Sequence, residues 1–185
     1  MKKIVLILFM FQIIITSAMP KSTAPQDLTL GYNRHGIILK TPSNWIIVQE
    51  NITQGNNTIL AQIMEEPTNN DWTKPNINII KSNNTRDDSP RELAEMFVSQ
   101  EKSSFSNYES SITDNIVFSR IKGVVRNTSF THNNITFSTI QYILKTEENI
   151  IYSVTGTFID DSLGENKATI KKILKSLVIT SNEPK

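Results

Sequence analysis

The chain contains no cysteine. That excludes a disulfide framework, a thiol nucleophile and a lipid anchor carried on Cys. Histidine is almost as scarce, with His35 and His132 alone. Neither shows a zinc-type spacing such as His-x-x-x-His, and both fall in polar stretches that read as solvated turns. Six glycines in 185 residues leave little material for a phosphate loop or a dinucleotide fingerprint, and no Gly-x-Ser-x-Gly elbow occurs. Carboxylates come as adjacent pairs: Glu65-Glu66, Asp87-Asp88, Glu147-Glu148 and Asp160-Asp161. Neighbouring residues on a strand face opposite ways, so these make poor acid–base pairs. Asp87-Asp88 and Asp160-Asp161 instead precede helical patterns, where negative charge is favoured. No alternating oxygen ligands with a glycine suggest a calcium loop. The expectation is a protein with no catalytic residue, no metal and no cofactor.

A long apolar run occurs once. Lys2-Lys3 precede Ile4 to Ile15, and Thr16-Ser17-Ala18 supply small residues at a cleavage site between Ala18 and Met19. This order reads as a secretory signal peptide over residues 1–18. The run is shorter than the roughly 20 residues that span a bilayer, so no stable membrane insertion is expected after cleavage. Residues 19–26 read as a disordered lead, 27–180 as one domain and 181–185 as a frayed tail. Removing Lys2 and Lys3 leaves 17 of the 19 basic residues against 18 acidic ones, a net charge of −1. That carries no footprint of nucleic-acid binding and no strong pull toward an anionic membrane. A domain of this size buries enough surface to dispense with disulfides. Their absence from an exported chain tilts the reading toward a bacterial envelope. Asn-x-Ser/Thr triplets at Asn51, Asn56, Asn83, Asn127 and Asn134 would be glycan acceptors in a eukaryotic pathway, but so Asn- and Thr-rich a chain generates them by chance.

The centre of the chain, Asn115 to Ile159, reads as three antiparallel strands. Ile116–Val125 carries a glycine interruption at Lys122-Gly123 that suggests a bulge. Phe130–Asn134 reads as a turn. Ile135–Leu144 and Ile150–Ile159 alternate with β-branched and aromatic residues, joined by a short hairpin loop, Thr146–Asn149. Upstream, Leu28–Leu30 and Ile37–Leu39 flank a turn at Asn33–Gly36. Pro42 breaks the chain. Trp45–Val48, Thr58–Met64 and Ile77–Ile80 are further strands, with a polar turn at Asn51–Asn57 and a loop at Glu65–Pro75. Ser89-Pro90-Arg91-Glu92 has the capping-box pattern of a helix start, and Leu93, Met96, Phe97 and Gln100, with Phe105 beyond, mark its inner face. A second helix runs from Ser162–Glu165 to Ser176, with Ile170, Ile173, Leu174 and Leu177 on one side and lysines on the other. Leu177–Ile179 reads as a last short strand.

This order resembles the Mog1/PsbP-like family. The residues that carry the resemblance are Gly36–Trp45, whose Thr41-Pro42-Ser43-Asn44-Trp45 matches a Pro-x-x-Trp turn. Ile151–Phe158 followed by Ile170–Leu177 matches the strand-then-helix ending. The resemblance implies an α+β fold, an α/β/α sandwich with a central antiparallel sheet. It also implies a non-catalytic binding or assembly module, similar to exported PsbP-related and DcrB-like proteins. No functional residue of the photosynthetic members maps onto this chain, and fold alone hosts many functions.

The expected function is protein–protein binding by an exported protein, periplasmic or secreted, with an unknown protein partner. Two aromatic residues in polar stretches, Trp72 and Tyr108, are the candidate partner contacts. A small-molecule or glycan-binding protein using the same sheet and the Trp72 loop is the alternative. A hydrolase with an unrecognised site is the third reading.

Overall fold

A computed structural model describes residues 27–67, 74–84, 86–118, 121–160 and 164–180. The expected signal peptide, lead and tail, and Trp72, lie outside the described residues. Among the described residues ten strands and two helices follow in the order β1 (Leu28–Arg34), β2 (Ile37–Pro42), β3 (Trp45–Gln54), β4 (Asn57–Glu65), β5 (Asn76–Asn83), α1 (Pro90–Lys102), β6 (Ser106–Phe118), β7 (Ile121–His132), β8 (Ile135–Lys145), β9 (Ile150–Ile159), α2 (Glu165–Lys175) and β10 (Val178–Ile179). Seven strands form one sheet in the order β3-β4-β5-β9-β8-β7-β6, and β1-β2-β10 form a small second sheet. Every pairing is antiparallel. The protein is α+β.

Asparagine takes the left-handed positions of this chain. Asn133, Asn134 and Asn149 have positive φ in hairpin connections, and Asn51, Asn107 and Asn115 have it within β3 and β6. Asparagine enters the left-handed region more readily than other side chains, because its short amide bonds locally. Gly36 and Gly55 serve the β1–β2 and β3–β4 turns, and Asn serves the two later hairpins, β7–β8 and β8–β9. The β7–β8 hairpin turns on Asn133-Asn134, φ 50° and 62°, the pattern of a type I′ turn. The expected turn at Phe130–Asn134 is therefore shorter than read. Phe130, Thr131 and His132 belong to β7 and pair with β8. Likewise β3 continues through Asn51 to Gln54, which leaves Gly55-Asn56 as the turn.

The central meander has four strands, not three. Residues 116–125 divide between β6 and β7, which pair from Phe118↔Ile121 outward. β6 was illegible because it is an edge strand whose sequence, SNYESSITDNIVF, is mostly exposed. Nor does the bulge sit at Gly123. β7 runs in unbroken register against β8 there, and the slip lies opposite, on β6 between Thr113 and Ile116, where Asn115 takes positive φ. Pro42 does not break β2 but ends it, opposite Leu28. β10 reaches only Ile37 and Ile38, so the missing N–H of Pro42 leaves no ladder bond unmade.

The two helices cover opposite faces of the large sheet. α2 packs Ile170 over Gly156 and Ile77. Ile170, Ile173 and Leu174 share a core with Val154, Tyr152, Leu144 and Ile140. α1 packs Ala94, Leu93 and Phe97 with Val124, Ile143 and Ile151, residues of the other parity on the same strands. The small sheet lies beside α2, sending Tyr32, Ile37, Leu39 and Ile179 into the larger core. Tyr32 Oη donates to the Leu60 carbonyl at 3.2 Å. At the start of α1, Ser89 Oγ accepts from Glu92 N at 3.2 Å, and Ser89 N donates back to Glu92 Oε2 at 2.7 Å. The capping box is formed as read. Among the described residues, no helix is long and apolar enough to cross a membrane.

Candidate functional site

Three features of the large sheet stand out. The first is a row of polar residues that crosses five strands. Registers align Gln62 with Asn78, Asn78 with Thr155, Thr155 with Gln141, and Gln141 with Arg126. All therefore face the α1 side of the sheet. Under α1 the row is closed. Arg126 donates twice to Glu101, Nη1 to Oε2 at 2.6 Å and Nη2 to Oε1 at 2.7 Å. Its Nε donates to Gln141 Oε1 at 2.8 Å, and Gln141 Nε2 donates to Ser153 Oγ at 2.7 Å. The Phe97 ring lies 5.5 Å from the guanidinium carbon, within cation–π range. Beyond α1 the row is half-buried at Thr155 and Asn78, flanked by Asn76, which accepts from Asn78 Nδ2 at 3.2 Å.

Tyr108 belongs to the closed end. The sequence suggested a residue in a polar loop after the first helix; it stands in β6, half-buried. Its hydroxyl donates to Glu101 Oε2 at 2.9 Å and accepts from Arg126 Nη1 at 3.3 Å. Burial, and next the Glu101 carboxylate, push its pKa up.

The second feature is an open cleft of about 500 Å³ where the start of α1 meets β6 and β7, lined by Arg91, Asp114, Val117 and Lys122 among others. Two of the ionic groups in its wall, Arg91 and Asp114, answer one another. Arg91 pairs with Glu95 at 2.7 Å and with Asp114, and those two partners raise its pKa. Glu92, alongside, is held below the usual carboxylate range by the bonds it takes from Ser89.

The third feature is the β3 edge. Among the described residues β3 pairs with β4 alone, so one side of its main chain is open. Ile46, Ile47 and Val48 are 38–39% exposed, three large aliphatics in succession. They are uncharged and flanked by Trp45 and Gln49. The far edge, β6, is the more heavily guarded. It carries Glu109 and Asp114 and two register slips, where β3 has one slip, between Ile47 and Gln49, and one carboxylate, Glu50, paired with Arg34; slips and charges blunt a strand edge. The apolar run Trp45–Val48 signalled a strand in the sequence. A continuous apolar run normally means burial on both faces, so its place at an edge was not readable.

The two histidines stand apart in the fold, His35 in the β1–β2 turn and His132 at the end of β7. His132 lies edge-on to Phe105, 6.1 Å between ring centres. Among the described residues no group of three or more His, Cys, Asp or Glu could hold a metal.

No family model matches the chain, and no curated protein matches its sequence. Solved structures do. LpqN of Mycobacterium tuberculosis, described as involved in cell envelope biogenesis, shares 15% identity at a TM-score of 0.58, over 83% of this chain and 91% of its own. The cyanobacterial PsbP (CyanoP) of Synechocystis sp. PCC 6803 shares 11% identity at a TM-score of 0.53, over 88% and 98%. This chain has the Mog1/PsbP-like fold. PA94 of Pseudomonas aeruginosa, a protein of unknown function and putative regulator, matches at 12% identity and a TM-score of 0.52, over 84% and 99%. At such identities the likeness establishes the fold, and function has to be argued from the sites.

Proposed function

We propose that this is an exported, non-catalytic binding or assembly protein of the bacterial envelope or secretome, an α/β/α sandwich that acts by protein–protein contact. The observation that carries the reading is the β3 edge. An open strand edge with exposed aliphatics accepts an extended segment of a partner as an added strand: main-chain bonds supply affinity and the flanking side chains supply selectivity. Similarity to LpqN, an envelope biogenesis protein, supports the envelope assignment. Trp72 and Tyr108 are proposed as further contacts. For Tyr108 this concerns the ring, because Glu101 and Arg126 hold its hydroxyl.

The test is native-gel migration of the protein in extracts of its own envelope, with Ile47→Lys and Val48→Pro compared against Ser110→Lys on the β6 edge. The reading expects a slower-migrating complex that the two β3 variants lose and the β6 variant keeps. A complex insensitive to both β3 changes contradicts it.

The open end of the polar row favours a second reading. Asn78, Asn76, Thr155 and Thr157 offer amides and hydroxyls on one half-buried face, a surface suited to a glycan or a polar small molecule. Asn78→Ala with Thr155→Val would remove such binding and leave the β3-dependent complex intact.

A further inference from the structure

We infer that the β3 edge docks a second copy of this chain, two β3 strands pairing antiparallel about a two-fold axis at Ile46 so that two large sheets become one. This names the partner of the edge and rests on the reading that a strand docks there. The main chain sets the register. Glu66 N donates to the Asn44 carbonyl at 2.8 Å, in step with the pairs Trp45↔Glu65, Ile46↔Met64 and Ile47↔Ile63. Antiparallel ladders alternate, so Asn44 and Ile46 turn their N–H and C=O groups to β4, while Trp45 and Ile47 turn theirs to the open side. The slip that follows, between Ile47 and Gln49, ends that regular stretch. Trp45 and Ile47 therefore stand symmetrically about Ile46. A two-fold axis there sets Trp45 of each copy opposite Ile47 of the other, and each such pair exchanges both of its N–H···O bonds.

The side chains suit the same axis. Ile46 meets Ile46 of the second copy, on the face it shares with Met64. On the other face Ile47 meets Trp45 of the second copy, a β-branched residue against an aromatic one, a favoured cross-strand pair. Val48 falls opposite Asn44. No charged residue lies between Lys40 and Glu50, and Glu50 is already paired with Arg34 at 2.6 Å. No like charges are opposed across the axis.

The absence of charge also favours a second copy over a foreign strand. Selection of a foreign partner leans on charges that reject the wrong one, and this stretch carries none, while it complements itself. The opposite edge sets the size of the assembly. Head-to-tail growth from β3 to β6 would meet Glu109, Asp114 and two register slips. Pairing β3 with β3 uses up the open edge and closes at two copies, the commonest symmetry of soluble assemblies. One strand pairing buries less than the roughly 1,200 Å² of a standard interface, so the dimer is expected to dissociate on dilution.

The test is sedimentation of the purified full chain across a concentration series, with Ile46→Lys, Ile46→Glu and an equal mixture of the two. Any association through the Ile4–Ile15 run is common to all of them and cancels in the comparison. The wild-type chain should pass from monomer to dimer as concentration rises. Each single variant should lose the dimer, because it sets like charges directly opposite one another, with the thermal midpoint as the check on folding. The mixture should regain it as a Lys–Glu heterodimer. The chain's lack of cysteine gives a second measurement that needs no charge. Across a non-hydrogen-bonded pair the Cβ atoms lie about 4.5–5.5 Å apart, close to disulfide range. Ile46→Cys should therefore oxidise to a covalent dimer, and Ser110→Cys on the β6 edge should not. A wild-type chain that stays monomeric, a dimer that survives Ile46→Lys, a mixture that fails to re-associate, or equal oxidation at Ile46→Cys and Ser110→Cys overturns the inference. If the pure chain is monomeric while envelope extracts still yield a β3-dependent complex with another protein, the docking edge stands and the second copy is wrong. If neither forms, both fall.

Discussion

Arg126 and Glu101 form a bidentate ion pair whose side chains are 3% and 14% exposed. It joins the last turn of α1 to the middle of β7, where polar residues of the sheet lie beneath the helix. Gln141 and Tyr108 accept further bonds from Arg126, Tyr108 donates to Glu101, and Ser153 accepts from Gln141. Such a pair gains little over an apolar substitute, but removing one partner strands a buried charge. Glu101→Ala should cost about 3–5 kcal/mol in denaturant unfolding. Glu101→Leu combined with Arg126→Met should cost distinctly less than Glu101→Ala alone. The reverse order would mean that the pair itself stabilises the helix docking.

Tyr32 makes alkaline stability testable. Burial, and next the Glu50 carboxylate, push its pKa up to about 12. In the unfolded chain the phenol ionises near the ordinary value of about 10. The folded state thus resists ionisation that the unfolded state accepts. Its contribution is complete below about pH 10 and is lost as pH rises toward 12. Tyr32→Phe should shrink this alkaline loss without abolishing it, since burial also raises Tyr142 and Tyr108. Thermal midpoints across that range measure it; an unchanged slope contradicts the assignment.

Gly123 is required by close approach. It stands in β7 between Ile116 of β6 and Leu144 of β8. A Cβ there would run into the Ile143 carbonyl oxygen, a backbone atom that cannot step aside, and would meet Leu144 Cδ2 at 2.6 Å. Gly123→Ala should destabilise by about 3 kcal/mol. A cost below about 0.5 kcal/mol would mean that the sheet opens freely at this point.

Phe97 tests how α1 is seated. The sequence reading implies the loss of roughly 3–5 kcal/mol expected when a fully buried ring is truncated. The ring is half-buried, covering Arg126 and the small cluster around Ile143. Phe97→Ala should therefore fall below that range, at about 2 kcal/mol. Ala94, fully buried beside it, was not singled out by the sequence. Any larger residue there should lift the helix, and Ala94→Leu should cost more than Phe97→Ala in the same unfolding assay.

These residues show where the sequence was legible. Strands buried on at least one face announced themselves by apolar alternation, as in β8 and β9, and α1 by its capping box. β6 did not, because an exposed edge strand has no apolar face to alternate; Tyr108 was misplaced with it. The polar row was beyond reach for another reason. Gln62, Asn78, Thr155, Gln141 and Arg126 are far apart in sequence and become neighbours only through register, which no local pattern encodes. Asn115 and Asn133-Asn134 could have been read, since Asn is the residue that replaces Gly at positive φ.

The β3 edge is tested most directly by photo-cross-linking in the native host, with a photoreactive amino acid at Ile47 and, as the control, at Ser110 on the β6 edge. The account predicts a discrete cross-linked protein species from Ile47 and none from Ser110. Silence at Ile47, or the same species from both positions, would contradict the proposal that a partner strand docks there.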